Sequence, residues 1–226
     1  MKNICFLKEK NGELEFASDN TGTGKLTPKD KVTFKILIRT DNPDINSITT
    51  EKRLSEQAAA ELEKQIGYNL KIYGPGEIDP NSADIVVDFK TDDPYFSSGV
   101  LAWAGYPAGS LKGQAVFNNK YVWLDGRSRT GKELRDLGII LPGMRDDFLY
   151  QTYNYRHTFK HEVCGHNFGL LHTNDISDVM FPYYGEDRVM YGEESKGSLT
   201  VKYGKASFIK RAKPDGYIKS VMKRPV

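Results

Sequence analysis

The stretch His161-Glu162-Val163-Cys164-Gly165-His166-Asn167-Phe168-Gly169-Leu170-Leu171-His172 contains three of the chain's four histidines. Its spacing decides how the surrounding chain must fold. Gly169 lies three residues after His166, and His172 lies six after it. His161 and His166 are five apart. On a regular α-helix four residues turn by about 400°, a net offset near 40°, and two side chains share a face. Five residues turn by about 500°, a net offset near 140°, and the two rings point almost opposite ways. The segment is one binding surface only if the backbone departs from a regular helix between them.

The residue types explain why a shared surface matters. Two histidines one turn apart, with a glutamate after the first, form the HExxH arrangement of zinc peptidases. A catalytic zinc takes three protein ligands and keeps one position open for water. It lowers the pKa of that water to about 7, and the glutamate takes the water's proton. A glycine after the second histidine permits a sharp turn, and a third histidine completes HExxHxxGxxH. Here the second half of the pattern is intact and the first half is one residue too long. Three readings stay open. A single-turn π-bulge through Val163, Cys164 or Gly165 absorbs the extra residue, and His161, His166 and His172 meet on one ion. Alternatively, His157 and His161, four apart, form the helical pair. Or the extra residue has destroyed the site.

A second cluster follows, Ser177-Asp178-Val179-Met180-Phe181-Pro182-Tyr183-Tyr184, with Met180 eight residues after His172. Together the two segments resemble the metzincin zinc peptidases, most closely the matrixin (matrix-metalloproteinase-like) branch. The resemblance implies that Met180 is the methionine of the turn beneath the zinc-bound rings. It implies that Pro182 and Tyr184 line the pocket for the substrate side chain after the cut bond, with His157 at its floor. Astacin-like and serralysin-like relatives carry a tyrosine where Pro182 stands. The implied fold is α/β (α+β): a twisted mixed sheet with an antiparallel edge strand over a zinc helix, and the Met-turn below. Glu162 would be the general base, and zinc the one catalytic ion.

The rest of the chain is compatible with that order. Val32–Arg39 alternates as a strand. A helix capped by Thr49 or Thr50 runs to about Ile66, with Leu54, Ala58, Leu62 and Ile66 as its apolar stripe and Gly67 as its stop. Leu70–Tyr73 and Ala83–Phe89 read as strands, giving strand–helix–strand–strand. Gly99–Pro107 resembles the family's fourth strand, the sheet edge above the cleft. An extended substrate would add to that edge, aligned by backbone groups near Leu101 and Ala102. The histidines that hold a second, structural zinc in vertebrate relatives correspond to Trp103 and Val116, which cannot bind it and are read as packing residues. Calcium through Asp92, Asp93 or Asn118 is a weaker expectation. A short helix is expected over Leu134–Ile140 and a last one over Ser198–Ala212.

Composition sets outer limits. Lys plus Arg is 32 and Asp plus Glu 30, a formal charge of +2, so nothing demands a polyanionic partner. No apolar run reaches the roughly 18 residues of a membrane span. The N-terminal apolar stretch is too short for a secretory signal, which leaves two alternatives open: a secreted protein whose signal has been trimmed, or one not exported by that route. Two cysteines do not indicate a disulfide framework. The expected organisation is a loosely organised polar leader at 1–30, with a hairpin as one form open to it, a catalytic domain at 31–200 and a basic helix or tail at 201–226. A monomer acting on a peptide or protein substrate is the expected form. Two further classes compete with a zinc endopeptidase. One is an inactive zinc or peptide-binding module. The other is an adaptor whose tail, with eight Lys or Arg and one acid from Thr200 on, binds an anionic polymer.

Overall fold

The computed structural model describes residues 4–10, 13–18, 24–40, 48–96, 100–182 and 190–204. Two polar, alternating segments near the N-terminus form β1 (Ile4–Lys10) and β2 (Glu13–Ser18), an antiparallel hairpin. The alternating segment after them is β3 (Thr33–Thr40), followed by α1 (Ile48–Ile66) and β4 (Asn69–Tyr73). Gly67, at φ 71°, ends α1 and donates its N–H to the Glu63 carbonyl at 3.0 Å, the left-handed stop a helix C-terminus favours. Then come β5 (Ile85–Lys90), β6 (Val100–Gly105), β7 (Gln114–Asn118) and β8 (Val122–Leu124).

Seven strands make one sheet in the order β2-β1-β6-β7-β5-β3-β4. β7, β5, β3 and β4 run parallel, and β6 is antiparallel to β7. Parallel neighbours need a crossover; α1 supplies it between β3 and β4 and buries Ala58, Leu62 and Ile66 against Phe34, Ile36 and Ile38. The sheet, α1 and the later helix α3 share this core, which also takes in Phe117, Tyr155 and Phe159. At about 25 cal/mol per Å² of apolar surface, that burial is the main force holding the layers together.

Between β8 and the histidine-rich segment lie β9 (Arg129–Thr130), α2 (Gly131–Asp136), β10 (Leu149–Tyr150) and β11 (Thr152–Asn154). α2 starts earlier than the expected Leu134, because Thr130 and Glu133 form a reciprocal capping box. α3 (Tyr155–Glu162) carries the first histidines, and α4 (Glu193–Tyr203) comes last. α4 also starts before its expected Ser198, with Glu193 and Glu194 in its first turn, where acids offset the helix dipole. It ends at Gly204; Lys205 to Ala212 of the expected helix, like the rest of the basic tail, lie outside the described residues.

The largest departure from expectation is at β6. It was expected as the sheet edge, with Leu101 and Ala102 offering backbone groups to a substrate. Instead β1 pairs with it, Ile4 opposite Gly105 and Leu7 opposite Ala102. Leu101 and Ala102 are fully buried. The leader is thus part of the sheet, held there by Leu7, which is fully buried in the main core. On the other side of β6, Trp103 stands opposite Val116. The two pack as expected, in a small apolar cluster with Tyr95, Phe96 and Leu111. Trp103 Nε1 donates to Asp93 Oδ1 at 3.0 Å, and Asn118 Nδ2 to the Val100 carbonyl at 3.3 Å.

Candidate metal centre

α3 begins where Asn154 accepts the His157 N–H at 2.9 Å, a side-chain cap. Its inner face, Tyr155 and Phe159, enters the core, and Tyr155 Oη meets Ser55 Oγ of α1 at 2.9 Å. On its back, Lys160 and Arg156 both engage Glu61 of α1. Lys160 is fully buried, and its ammonium lies 4.9 Å from the Tyr191 ring centre. Burial lowers its pKa against the opposing pull of Glu61. The helix that carries the histidines is therefore clamped to α1 from behind.

At the front the helix stops where spacing demands a departure. The Phe159 carbonyl accepts two N–H groups, Val163 at 2.8 Å and Cys164 at 3.1 Å. The second spans five residues, one bond of π type. One of the three open readings is a single-turn π-bulge in the helix between Glu162 and His166. The chain instead leaves the helix and turns through Gly165, at φ −100° and ψ −78°, into a 3-10 turn, His166–Phe168. Gly169 ends that turn at φ 82°. Tyr191 Oη donates to the Cys164 carbonyl at 3.1 Å, satisfying an acceptor the helix has left behind. No side chain fits at Gly165: a Cβ there would lie 2.2 Å from the His161 carbonyl oxygen and 2.4 Å from Met180 Sδ.

This turn swings His166 back beside His161. Their Nε2 atoms are 2.9 Å apart, and His161 Nε2 is 3.2 Å from His172 Nε2. Both His161 and His166 face a backbone carbonyl with Nδ1: Val179 at 2.7 Å and Leu170 at 2.8 Å. With Nδ1–H donating there, each Nε2 carries a lone pair aimed at the other. Two such lone pairs at this distance repel unless a cation sits among them. Nitrogen ligands about 2.0–2.1 Å from a tetrahedral zinc lie roughly 3.3 Å apart, so the donor set fits that ion. Burial, then the neighbouring rings, holds His161 and His166 well below their usual pKa, and burial takes His172 down to about 4. Neutral rings are the ligand form. Among the described residues, these three are the one group of three or more His, Cys, Asp or Glu side chains able to hold a metal ion.

The segment below is tied to the rings. Besides the Val179 carbonyl, Met180 accepts from Thr173 N–H, directly after His172, at 3.1 Å. Met180 N–H donates to buried Asp178 Oδ1 at 2.9 Å, and the thioether is fully buried under Gly165. Glu162, the last residue of α3, is fully buried beside His161 in sequence. His157 is also buried, its ring 6.5 Å from that of His161, and it is not in the metal-capable group. Pro182 is half-buried after the turn, and Tyr184 lies outside the described residues. Cys164, expected as a small buried residue, is one, and burial pushes its thiol up to about 12.

Sequence reading missed three residues. Tyr106, one past β6, sets its ring edge-on to His166 at 4.7 Å. Tyr191 caps the broken helix, and Glu61 anchors it. The only available signal was the aromatic character of the two tyrosines.

Comparison with protein-family models matches residues 25–197 to the family described as Matrixin. No curated protein matches the chain.

Proposed function

The chain belongs to the matrixin family, and from that premise we propose that it is a zinc-dependent endopeptidase that cuts peptide or protein substrates. One observation carries the proposal. Three imidazoles, two fully buried and the third half-buried, bring their Nε2 atoms together, that of His161 lying 2.9 Å from His166 and 3.2 Å from His172. A bound zinc would supply Lewis-acid polarisation of the scissile carbonyl and acidify a water molecule. The chain's residues do the rest. His161, His166 and His172 hold the ion, and the Val179 and Leu170 carbonyls fix the tautomers of the first two. Glu162 takes a proton from the attacking water as the C–O bond forms. It returns that proton to the departing nitrogen as the C–N bond breaks. Met180 supports the rings from below. His157, Pro182 and Tyr184 are proposed for the pocket that takes the side chain after the cut.

Glu162→Ala tests the mechanism. Zinc, measured by metal analysis, should stay at one per chain, and cleavage of a quenched peptide should fall roughly 10²–10⁴-fold, the range of general acid–base catalysis. Unchanged cleavage rejects Glu162 as the base.

One observation favours the inactive zinc-binding form of the second reading: β6, where a substrate strand would add, is already paired on both sides. A casein digest with and without chelator separates the two readings, since only a peptidase gives chelator-sensitive fragments.

A further inference from the structure

β6 is the strand that borders the metal centre. It packs against α3 and the His166 turn, and Tyr106, just beyond its end, lies on the His166 ring. An extended peptide held beside the metal would add to the side of β6 away from β7, through backbone hydrogen bonds. That side is taken by β1. The two strands run antiparallel, from Ile4 opposite Gly105 to Lys8 opposite Val100. β2 backs β1 over six residue pairs, from Cys5 with Ser18 to Lys10 with Glu13. Leu7 anchors the hairpin, fully buried in the main core.

We propose that the N-terminal hairpin is a built-in substitute for a substrate strand, which keeps β6 closed to peptides until the hairpin leaves. This rests on the peptidase reading for its consequence, but not for its geometry. The hairpin is on the same chain as the edge it covers. Its effective concentration is in the millimolar range or higher, so it outcompetes a free peptide present at micromolar levels. Two features make release feasible. The β1–β6 register shifts between Leu7 and Lys8, interrupting the ladder. Beyond β1, β2 has no other strand of the sheet beside it among the described residues.

The register supplies a test in the whole chain. Cys5 lies opposite Ala104. Opposed residues of antiparallel strands have Cα atoms about 4.5–5.5 Å apart, within the range a disulfide spans. Ala104→Cys therefore places a thiol opposite Cys5, while Cys164, buried with its thiol pushed up to about 12, stays out of the exchange. The variant is oxidised with glutathione disulfide, loaded with zinc and assayed on a quenched decapeptide library before and after reduction by a phosphine. The oxidised form should cut at least tenfold more slowly than the reduced form, and Cys5→Ser/Ala104→Cys should not respond to oxidant. Equal rates in the two forms overturn the proposal, and so does failure of the cross-link to appear by mass.

A second measurement separates this proposal from the peptidase reading. In the Glu162→Ala background, binding of a fluorescein-labelled decapeptide library is followed by anisotropy. The reduced form should bind and the cross-linked form should bind at least tenfold more weakly. That result without cleavage by any form sinks the peptidase reading and leaves the hairpin proposal standing. Equal binding, or no binding by either form, sinks the hairpin proposal.

Discussion

The three-histidine group and the strand β6 beside it, taken here as floor and rim, are built over different distances along the chain. On the floor, the His161 and His166 rings are fixed by carbonyls eighteen and four residues away. Gly165, Met180 and Tyr191 close that short circuit. On the rim, β6 is paired with β1, whose partner positions lie about a hundred residues earlier. The floor is therefore specified by local turns and a tightly satisfied set of hydrogen bonds. The rim is specified by a long-range strand choice. On the proposed reading this is a workable division, since ligands must hold their geometry while a strand edge changes occupant.

Perturbing each side should show how separate they are. The largest effect is expected behind the floor. Glu61→Ala leaves the buried Lys160 ammonium without its carboxylate, at a cost of about 3–5 kcal/mol, read as a fall in chemical-denaturation stability. Lys160→Met combined with Glu61→Gln should recover most of the loss. A loss below 1 kcal/mol in the single variant would mean the clamp contributes little to holding α3.

Next is the turn itself. Gly165→Ala puts a methyl against the His161 carbonyl and Met180 Sδ. It should cost about 1–3 kcal/mol through overpacking and weaken zinc binding about 10–100-fold by misaiming the rings. Zinc titration with a competing chelator checks this. Unaltered affinity would show that the rings converge without the turn.

On the rim, Trp103→Phe removes the hydrogen bond to Asp93 while keeping an aromatic ring opposite Val116. The expected loss is about 1 kcal/mol, with zinc affinity unchanged. A drop in zinc affinity would join rim and floor into one unit.

The mildest probe is acid on the metal-free chain. In the folded state burial holds all three rings below the ordinary imidazole range, His172 at about 4. As pH falls from about 6.5 towards 4, the unfolded chain takes up protons that the folded rings refuse, so stability falls with acidification. A His172→Gln variant should show a shallower decline in melting midpoint over that window; an equal slope would remove His172 from the effect.

How much was readable beforehand follows from the same contrast. The three-histidine group able to hold a metal was legible because His166, Gly169 and His172 keep offsets that a short turn can satisfy, and because Met180 follows at a fixed distance. The five-residue gap between His161 and His166 left the local backbone open, and the answer depended on Gly165 being the residue that fits over Met180. α1, β3 and β4 announced themselves through periodicity and the Gly67 stop. The pairing of the leader hairpin with β6 did not. Polar residues alternating with apolar ones at 4–18 identify a strand but never its partner, and pairing with β6 instead of solvent leaves no local mark. The Glu61–Lys160 contact spans 99 residues, and a lysine in a helix reads as exposed until the fold buries it.

Cys164 sits in the broken turn under Tyr191, fully buried and with its thiol pushed up to about 12. At neutral pH it is therefore almost wholly un-ionised and shielded from alkylating reagents. In a Cys5→Ser background it is the chain's single sulfhydryl, and its labelling by iodoacetamide becomes a clock. Each modification records one excursion in which the bend between the first two ligands comes apart, so the reaction rate measures how often the metal site breathes. Occupancy by zinc should slow that clock in proportion to how firmly the ion staples the bend shut.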